Sequence, residues 1–359
     1  MKQILFKLNL NGFGVVNFDD SKRQLNTLKK YKIVTETDKN NELGDNVKLG
    51  KKVFFETNDG VGDVPKMGYK LKISADCLRH AIYEHDVDVV NNSVKQCDYV
   101  FANYLLSPVG ITRGYMFPNR GNEPTIKRKS SLTISDAIQT DGSKSNIEVG
   151  STTGKCDETG KRDETSFFYA DKVGNINYFA KGIIDLRSLM FISADAKFDR
   201  LAIKSDWATK AEDGLAHKVL ETYFGGNAKE QYGRFTSTAK YLTKALAENG
   251  ILLNKEIVDT LVKFILKNLL AIDIRRNNAF AKTASLQIKF VDNPITDTFD
   301  EEDGWMTIGS EADIDSLDIT PDEFYTKVTD EDLKEIEELD AKYKGSKKKR
   351  VAKKAKTDE

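Results

Sequence analysis

The chain changes character at residue 292, and that break bounds what can fold. Residues 292–340 hold nineteen Asp and Glu against only Lys327 and Lys334, a net charge of −17. Residues 341–359 hold nine Lys and Arg against Asp358 and Glu359, a net of +7. The 359 residues together sum to −1, so residues 1–291 carry +9. Strongly charged stretches with few apolar residues cannot bury enough surface to offset chain entropy. The expectation is a packed body over 1–291 and a largely disordered charged extension over 292–359, acidic and then basic. A basic body points to a polyanionic partner, although +9 spread over 291 residues also fits a moderately basic enzyme.

Hydrophobic content of 39% and charged content of 31% fit a globular chain with a polar bias. No apolar run approaches the roughly 18 residues a membrane span needs, so no membrane partner is expected. Residues 1–9 carry polar and charged residues inside their apolar pattern and read as a strand rather than a signal peptide. Cys77, Cys97 and Cys156 are widely spaced and odd in number, which makes no disulfide framework. A reducing cytoplasm is the expected compartment.

Residues 3–18 predict two strands around an Asn11-Gly12 turn. Val53–Phe55 and Tyr69–Ile73 predict another pair. Ser74 then caps a short helix running to Tyr83, with Asp76 in its first turn. Residues 97–106 predict a helix that stops before Pro108, and Gly114–Phe117 a strand stopped by Pro118. Residues 139–166 are nearly without aliphatic side chains, a stretch either disordered or functional. Strands follow over 166–170, 176–181 and 183–192, the first two turned by Gly174-Asn175. Helices are expected over 214–223, over 237–248 with Asn249-Gly250 as its C-cap, and over 254–272, before a final strand at 284–290. In the extension, 297–323 reads as loop and 329–343 as a capped helix. The plan is α+β and fits a ferredoxin-like, RRM-type βαββαβ sheet with large insertions.

Catalytic and metal-binding patterns are weak. Cys77 and His80 are three apart on one helix, with His85 and Asp86 nearby, but no second ligand pair has zinc-site spacing. The blander reading makes Cys77 a small buried hydrophobe and His80 a surface or RNA-facing residue. There is no G-x-S-x-G elbow and no phosphate-binding P-loop, and no carboxylate pair stands out for acid–base work. Asp19-Asp20 could hold a divalent ion or simply end a strand. No catalytic residue, metal or cofactor is expected.

Basic residues placed at element ends are more informative. Lys70 and Lys72 share one face of their strand, and Arg79 and His80 follow on the Ser74-capped helix. Arg113, Lys127, Arg128 and Lys129 precede the polar insertion, and Arg275-Arg276 lies between the longest helix and the last strand. Charge runs are usually solvated faces, but this placement around one sheet suits a groove tracking phosphates. Phe168, between Phe167 and Tyr169, is a candidate for base stacking, though aromatics in strands are more often core.

Several of these segments resemble a known family. Leu71–Ile82, with its strand–Ser–helix order, is similar to the backbone subunits of Cascade-type CRISPR effector complexes, the Cas seven family. Arg113-Gly114-Tyr115, Lys127–Asp136, Leu189–Arg200, Gly250–Asn254 and Ile274–Arg276 resemble the backbone subunit of the minimal type I-F variant, with type IV backbone subunits as near relatives. The resemblance runs in order over roughly residues 3–290. It implies a modified RRM-like palm and a β-hairpin thumb, placed over 44–68 or, second, in 139–166. It also implies a Ser74-led helix whose basic residues face the guide, and copies that stack head to tail along crRNA. Target nucleic acid, DNA rather than RNA, would pair with the guide, and other CRISPR effector subunits would join. The role implied is non-catalytic. Three rivals remain: a single-stranded DNA-binding protein of replication or recombination, an RNA-processing endonuclease of the same superfamily using His80 or His85, and a plain interaction protein that works through its tail. The extension has no counterpart in this pattern. It is read either as a cover over the basic groove that RNA displaces or as a solubilising or partner-docking tail.

Overall fold

A computed structural model describes residues 1–13, 72–84, 97–118, 124–140, 144–152, 167–196, 201–208, 214–226, 229–237, 247–276, 279–292 and 299–335, with 337–338 and 341–342. The organising element is β1 (Gln3–Phe13), whose Ile4, Phe6, Leu8 and Leu10 are buried on one face. It is antiparallel to β8 (Phe167–Asp185) on one side and to β13 (Ala279–Val291) on the other. β8 also pairs with β5 (Leu132–Ile134) and β6 (Ala137–Gln139), and β6 with β2 (Lys72–Ile73). On the far side β13 carries β12 (Asp273–Arg276) and β14 (Met306–Ile308). With β7 (Lys144–Thr152) this is a nine-stranded sheet.

One face of the sheet is covered by α1 (Ala75–Ile82) and α6 (Lys255–Leu270). Apolar residues recur along α6 at helical spacing, and Ile257, Leu261, Ile265 and Leu269 are buried. Asn254 caps it by accepting from the Ile257 amide at 3.1 Å. Between these layers the chain adds α2 (Asp98–Leu106), α3 (Pro108–Arg113), the pair β3 (Tyr115–Phe117) and β4 (Ile126–Arg128), α4 (Leu186–Met190) and α5 (Leu215–Phe224). A second sheet has the order β15-β10-β11-β9, from Tyr325–Val328, Glu230–Ser237, Glu248–Leu253 and Phe191–Ser193.

Three expected breaks are absent. Asn11-Gly12 stays inside β1, paired on both sides. Glycine is needed there for close approach, since a Cβ would sit 2.4 Å from the Phe280 carbonyl oxygen. Gly174-Asn175 stays inside β8, where Gly174 takes a φ of 123° without reversing the chain. Asn249-Gly250 lies in β11, with Gly250 backed against the Ile192 carbonyl, so it caps no helix. The helix expected over 237–248 is a strand residue at each end, and 238–246 fall outside the described residues. Conversely, the strand expected over 183–192 is interrupted by α4, because Asp185 turns back to accept from the Arg187 amide at 3.1 Å. The strands expected at 14–18, 53–55 and 69–71 lie outside the described residues.

The extension departs most from expectation. Residues 299–335 add β14 to the edge of the large sheet and β15 to the edge of the second. Between them α7 (Glu311–Asp315) forms a capping box on Ser310. Ile308, Ile314, Ile319, Phe324 and Val328 are buried. Acidic composition hid five well-spaced apolar anchors, so the packed unit does not stop at 291.

Arg128 is an internal strut. Its Nε donates to the Ile111 carbonyl at 3.0 Å and Nη1 to that of Phe191 at 2.8 Å, while Nη2 reaches the carbonyls of Ser188 and Leu189. Burial lowers its pKa, yet the fork satisfies carbonyls from α3, α4 and β9 at once. Arg128→Ala should lower unfolding free energy by about 3 kcal/mol, because buried carbonyls are left without donors, as read by urea denaturation. Asp136 pins α1 to the sheet, accepting from Lys72 Nζ at 2.8 Å and from the Ala75 amide at 2.8 Å. Burial pushes its carboxyl up, but the two hydrogen bonds and the Lys72 charge win and hold it below its ordinary 3.8. A depressed folded pKa stabilises above the unfolded value and loses that contribution as pH falls through the folded one. Asp136→Asn should therefore flatten the acid limb of the stability profile below about pH 4, measured by thermal melts across pH.

Candidate nucleic-acid interface

The predicted basic residues divide between two faces. On the helical side, Ser74 caps α1 by accepting from the Cys77 amide at 3.2 Å. Its extended backbone, with φ −65° and ψ 150°, brings the chain off β2 and into the helix. This presents Arg79, half-buried, with Nη1 3.9 Å from Asp76, and His80, which is exposed. Arg113 ends α3 and lies close to the same place. Burial pushes the Tyr83 phenol up to about 12, while the Thr112 hydroxyl and the charges of Arg79 and Arg113 oppose it. Both guanidinium groups therefore act on one buried ring. Gly114, at φ 74°, lets the following chain run against Lys129-Ser130, where a Cβ would meet the Ser130 amide at 2.6 Å. This brings Arg113 beside the exposed Lys129. Lys127 is half-buried on β4, its amide donating to the Leu201 carbonyl at 2.7 Å.

Two expected ligands are engaged elsewhere. Lys72 is spent on Asp136. Arg128, offered by the sequence as a phosphate ligand, has Nε, Nη1 and Nη2 turned onto backbone carbonyls. Lys70 lies outside the described residues. Phe168 stands on the ribbon of β7 and β8, opposite Ser151.

Arg275 and Arg276 belong to β12, remote from α1. Arg275 pairs side-on with Asp273, Nη2 to Oδ2 at 2.7 Å, and the same carboxylate meets Lys282 at 3.1 Å. The hydrogen bond from Arg275 leads in holding Asp273 below its ordinary value. This pair opens onto the face of the large sheet opposite the helices. That face is laid out in rows by the register: Lys181–Lys7–Gln287, Phe179–Asn9–Ser285, Asn177–Asn11–Lys282 and Asn175–Phe13–Phe280. Phe13 and Phe280 stack at 6.5 Å and 21°, and remain 38% and 44% exposed. Sequence reasoning passed over Lys7, Lys181, Lys282, Lys289, Phe13 and Phe280. The signal was available in the alternation of 6–11, where Phe6, Leu8 and Leu10 are apolar and Lys7, Asn9 and Asn11 are polar.

A separate polar cluster lies at α5 and β10. His217 Nδ1 is 2.6 Å from Glu230 Oε1, and the Tyr232 hydroxyl donates to the same oxygen at 2.9 Å. Burial, then the Glu230 carboxylate, pushes the Tyr232 phenol up. Among the described residues there is no group of three or more His, Cys, Asp or Glu placed to hold a metal ion, and no helix long and apolar enough to cross a membrane.

Two solved chains, titled "CRISPR RNA-guided surveillance complex" and "CRISPR RNA-guided surveillance complex, pre-nicking", are similar to this one. Each is 11% identical with a TM-score of 0.30, covering 82% of this chain and 72% and 80% of theirs. A likeness this loose carries no argument of its own. No curated protein sequence matches the chain. The sequence model of the family described as "Type I-Fv CRISPR-associated protein Cas7fv-like" matches residues 1–301. That match takes in well over half of the chain, which therefore belongs to the Cas7fv-like family of type I-Fv CRISPR-associated proteins.

Proposed function

We propose that this chain is a guide-RNA-binding backbone subunit of a multisubunit CRISPR effector complex in the cytoplasm. The observation that carries the reading is the family match over residues 1–301. Copies stack head to tail along crRNA, hold it for pairing with target DNA and contact the other effector subunits. The subunit is non-catalytic and needs no cofactor.

The strand order supports an RRM-type palm. Taking β1, α1, β5 with β6, β8, α6 and β13 as the six core elements, the sheet runs β13, β1, β8, then β5 and β6. That is the ferredoxin-like 4-1-3-2 arrangement, with its two helices on one face. The described segment that suits a thumb is the ribbon of β7 and β8. Beyond Asn175, β8 passes the described end of β1 and pairs with β7, in nine-residue register from Lys144↔Asn175 to Thr152↔Phe167. Nine residues reach about 30 Å, enough to touch a neighbouring copy or kink a strand of RNA. This favours the 139–166 region over 44–68, which lies outside the described residues. Arg79, His80, Arg113 and Lys129 form the phosphate-tracking set on the helical side.

Protein purified natively, without nuclease, should carry short RNAs that share one repeat-derived flank, on a particle many times the monomer mass. Arg79→Glu with Arg113→Glu should reduce the bound RNA and make the salt dependence of binding shallower by about 0.7 in log–log slope for each phosphate that the variant no longer neutralises. Protein free of RNA that binds any added single strand would instead identify the single-stranded DNA-binding rival.

A further inference from the structure

The open face of the large sheet is occupied at one end by the chain's own acidic segment. Trp305 lies under the Lys7 ammonium, 4.1 Å from ring centroid to Nζ, and Phe299 lies 5.1 Å from that of Lys181. The two rings stack on each other at 6.2 Å and 28°. Glu301 forms an ion pair with Lys289, and the Trp305 indole N–H donates to the Glu301 carbonyl at 2.8 Å, closing the turn. Gly304, at φ 82°, folds the segment over the Lys289 stem. Leu5, on the same face, is 3% exposed. At the other end of the face, stacked Phe13 and Phe280 lie exposed beside Lys282 and Arg275.

We propose that this face is a seat for single-stranded nucleic acid and that Phe299–Trp305 is its built-in competitor, a mimic of two stacked bases and a phosphate. The chemistry matches group by group. Aromatic planes on cationic side chains stand in for bases stacked against them, and the Glu301 carboxylate stands in for a phosphate on Lys289. Asp300, Glu302 and Asp303 add negative charge in the same turn. The segment is tethered on its C-terminal side by β14, paired to β13 through Met306–Ile308, and by Lys267 of α6, which holds Asp315 at 2.9 Å and Glu311 at 3.7 Å. A tethered ligand acts at an effective concentration in the millimolar range. It therefore excludes weak, non-specific strands, whose dissociation constants are about 10⁻⁴–10⁻⁶ M, more effectively than a strand held at many points. The inference rests on the proposed function only for the class of ligand.

Removing the whole extension would also strip the buried anchors of β14, α7 and β15, so substitutions on the surface segment are the sharper test. Full-length Phe299→Ala/Glu301→Ala/Trp305→Ala should bind a fluorescein-labelled uridine 20-mer about 5- to 10-fold more tightly than wild type by anisotropy at low salt. Adding Lys7→Glu and Lys181→Glu should reverse that gain. A triple variant with unchanged or weaker binding overturns the proposal. The unmodified chain offers a second measurement, because it has two tryptophans and Trp207 is only 3% exposed. Acrylamide quenching therefore reports mainly Trp305. The 20-mer should raise the quenching constant as the segment is displaced, and a constant that stays the same with RNA bound overturns the proposal. Wild type that co-purifies with guide RNA while the triple variant is unchanged removes only the competitor. A tighter triple variant of a wild type that carries no guide removes only the guide.

Discussion

Everything in this molecule depends on β1 being paired along both edges. An eleven-residue strand with neighbours on each side leaves no backbone donor or acceptor to solvent over most of its length. Its even-numbered residues then supply the floor on which α1 and α6 pack. Its odd-numbered residues supply a second surface on which, among the described residues, no helix packs. The two faces of one strand thus separate the work: Ile4, Phe6, Leu8 and Leu10 hold the domain together, while Lys7, Asn9, Asn11 and Phe13 face outward. Gly12 is part of the same constraint, since β13 approaches too closely there for any side chain.

The partition of arginines follows from where each element ends. Arg128 is turned inward because β4 runs beside α3, α4 and the start of β9, whose carbonyls accept from its guanidinium. A guanidinium can serve several such acceptors from one plane, which a lysine cannot. Arg79 and Arg113, at the last turns of their helices, instead project near a common buried tyrosine and keep part of their surface in solvent. Charge in the sequence is therefore a poor guide to charge on the surface, and the local ends of helices decide which is which.

Much of the fold was legible in the residues, and the failures share a cause. α1, α6 and β3 were readable because capping residues and periodicity act locally: Ser74 and Asn254 do in the fold what they signal in the sequence. The three Asn-Gly or Gly-Asn pairs misled because glycine serves two ends. It permits a left-handed turn, and it permits another backbone to come close; only the partner strand, far away in sequence, decides between them. The acidic extension misled for a related reason. Its net charge describes its surface, whereas Ile308, Ile314, Ile319, Phe324 and Val328 describe its buried side, and five anchors were enough to dock it. In the candidate interface, Arg79 and Arg113 stand out in the sequence because each closes a helix among basic neighbours. Lys7, Lys181 and Lys289 do not, because they become neighbours only through strand register.

That register also sets an order of events during synthesis. β1 is made before both of its partners, residues 175–185 and 279–291. A ribosome must therefore deliver most of the polypeptide before the central strand has both of its edges, and β14 and β15 come later still. Closing pairs so distant in sequence is intrinsically slow. Until residue 279 emerges, the strand that later forms the middle of the sheet is itself an edge, open to pairing with another copy. The lysine at position 7 and the asparagines at 9 and 11 then act as guards, placing charge and polarity on the face of the nascent strand opposite α1 and α6.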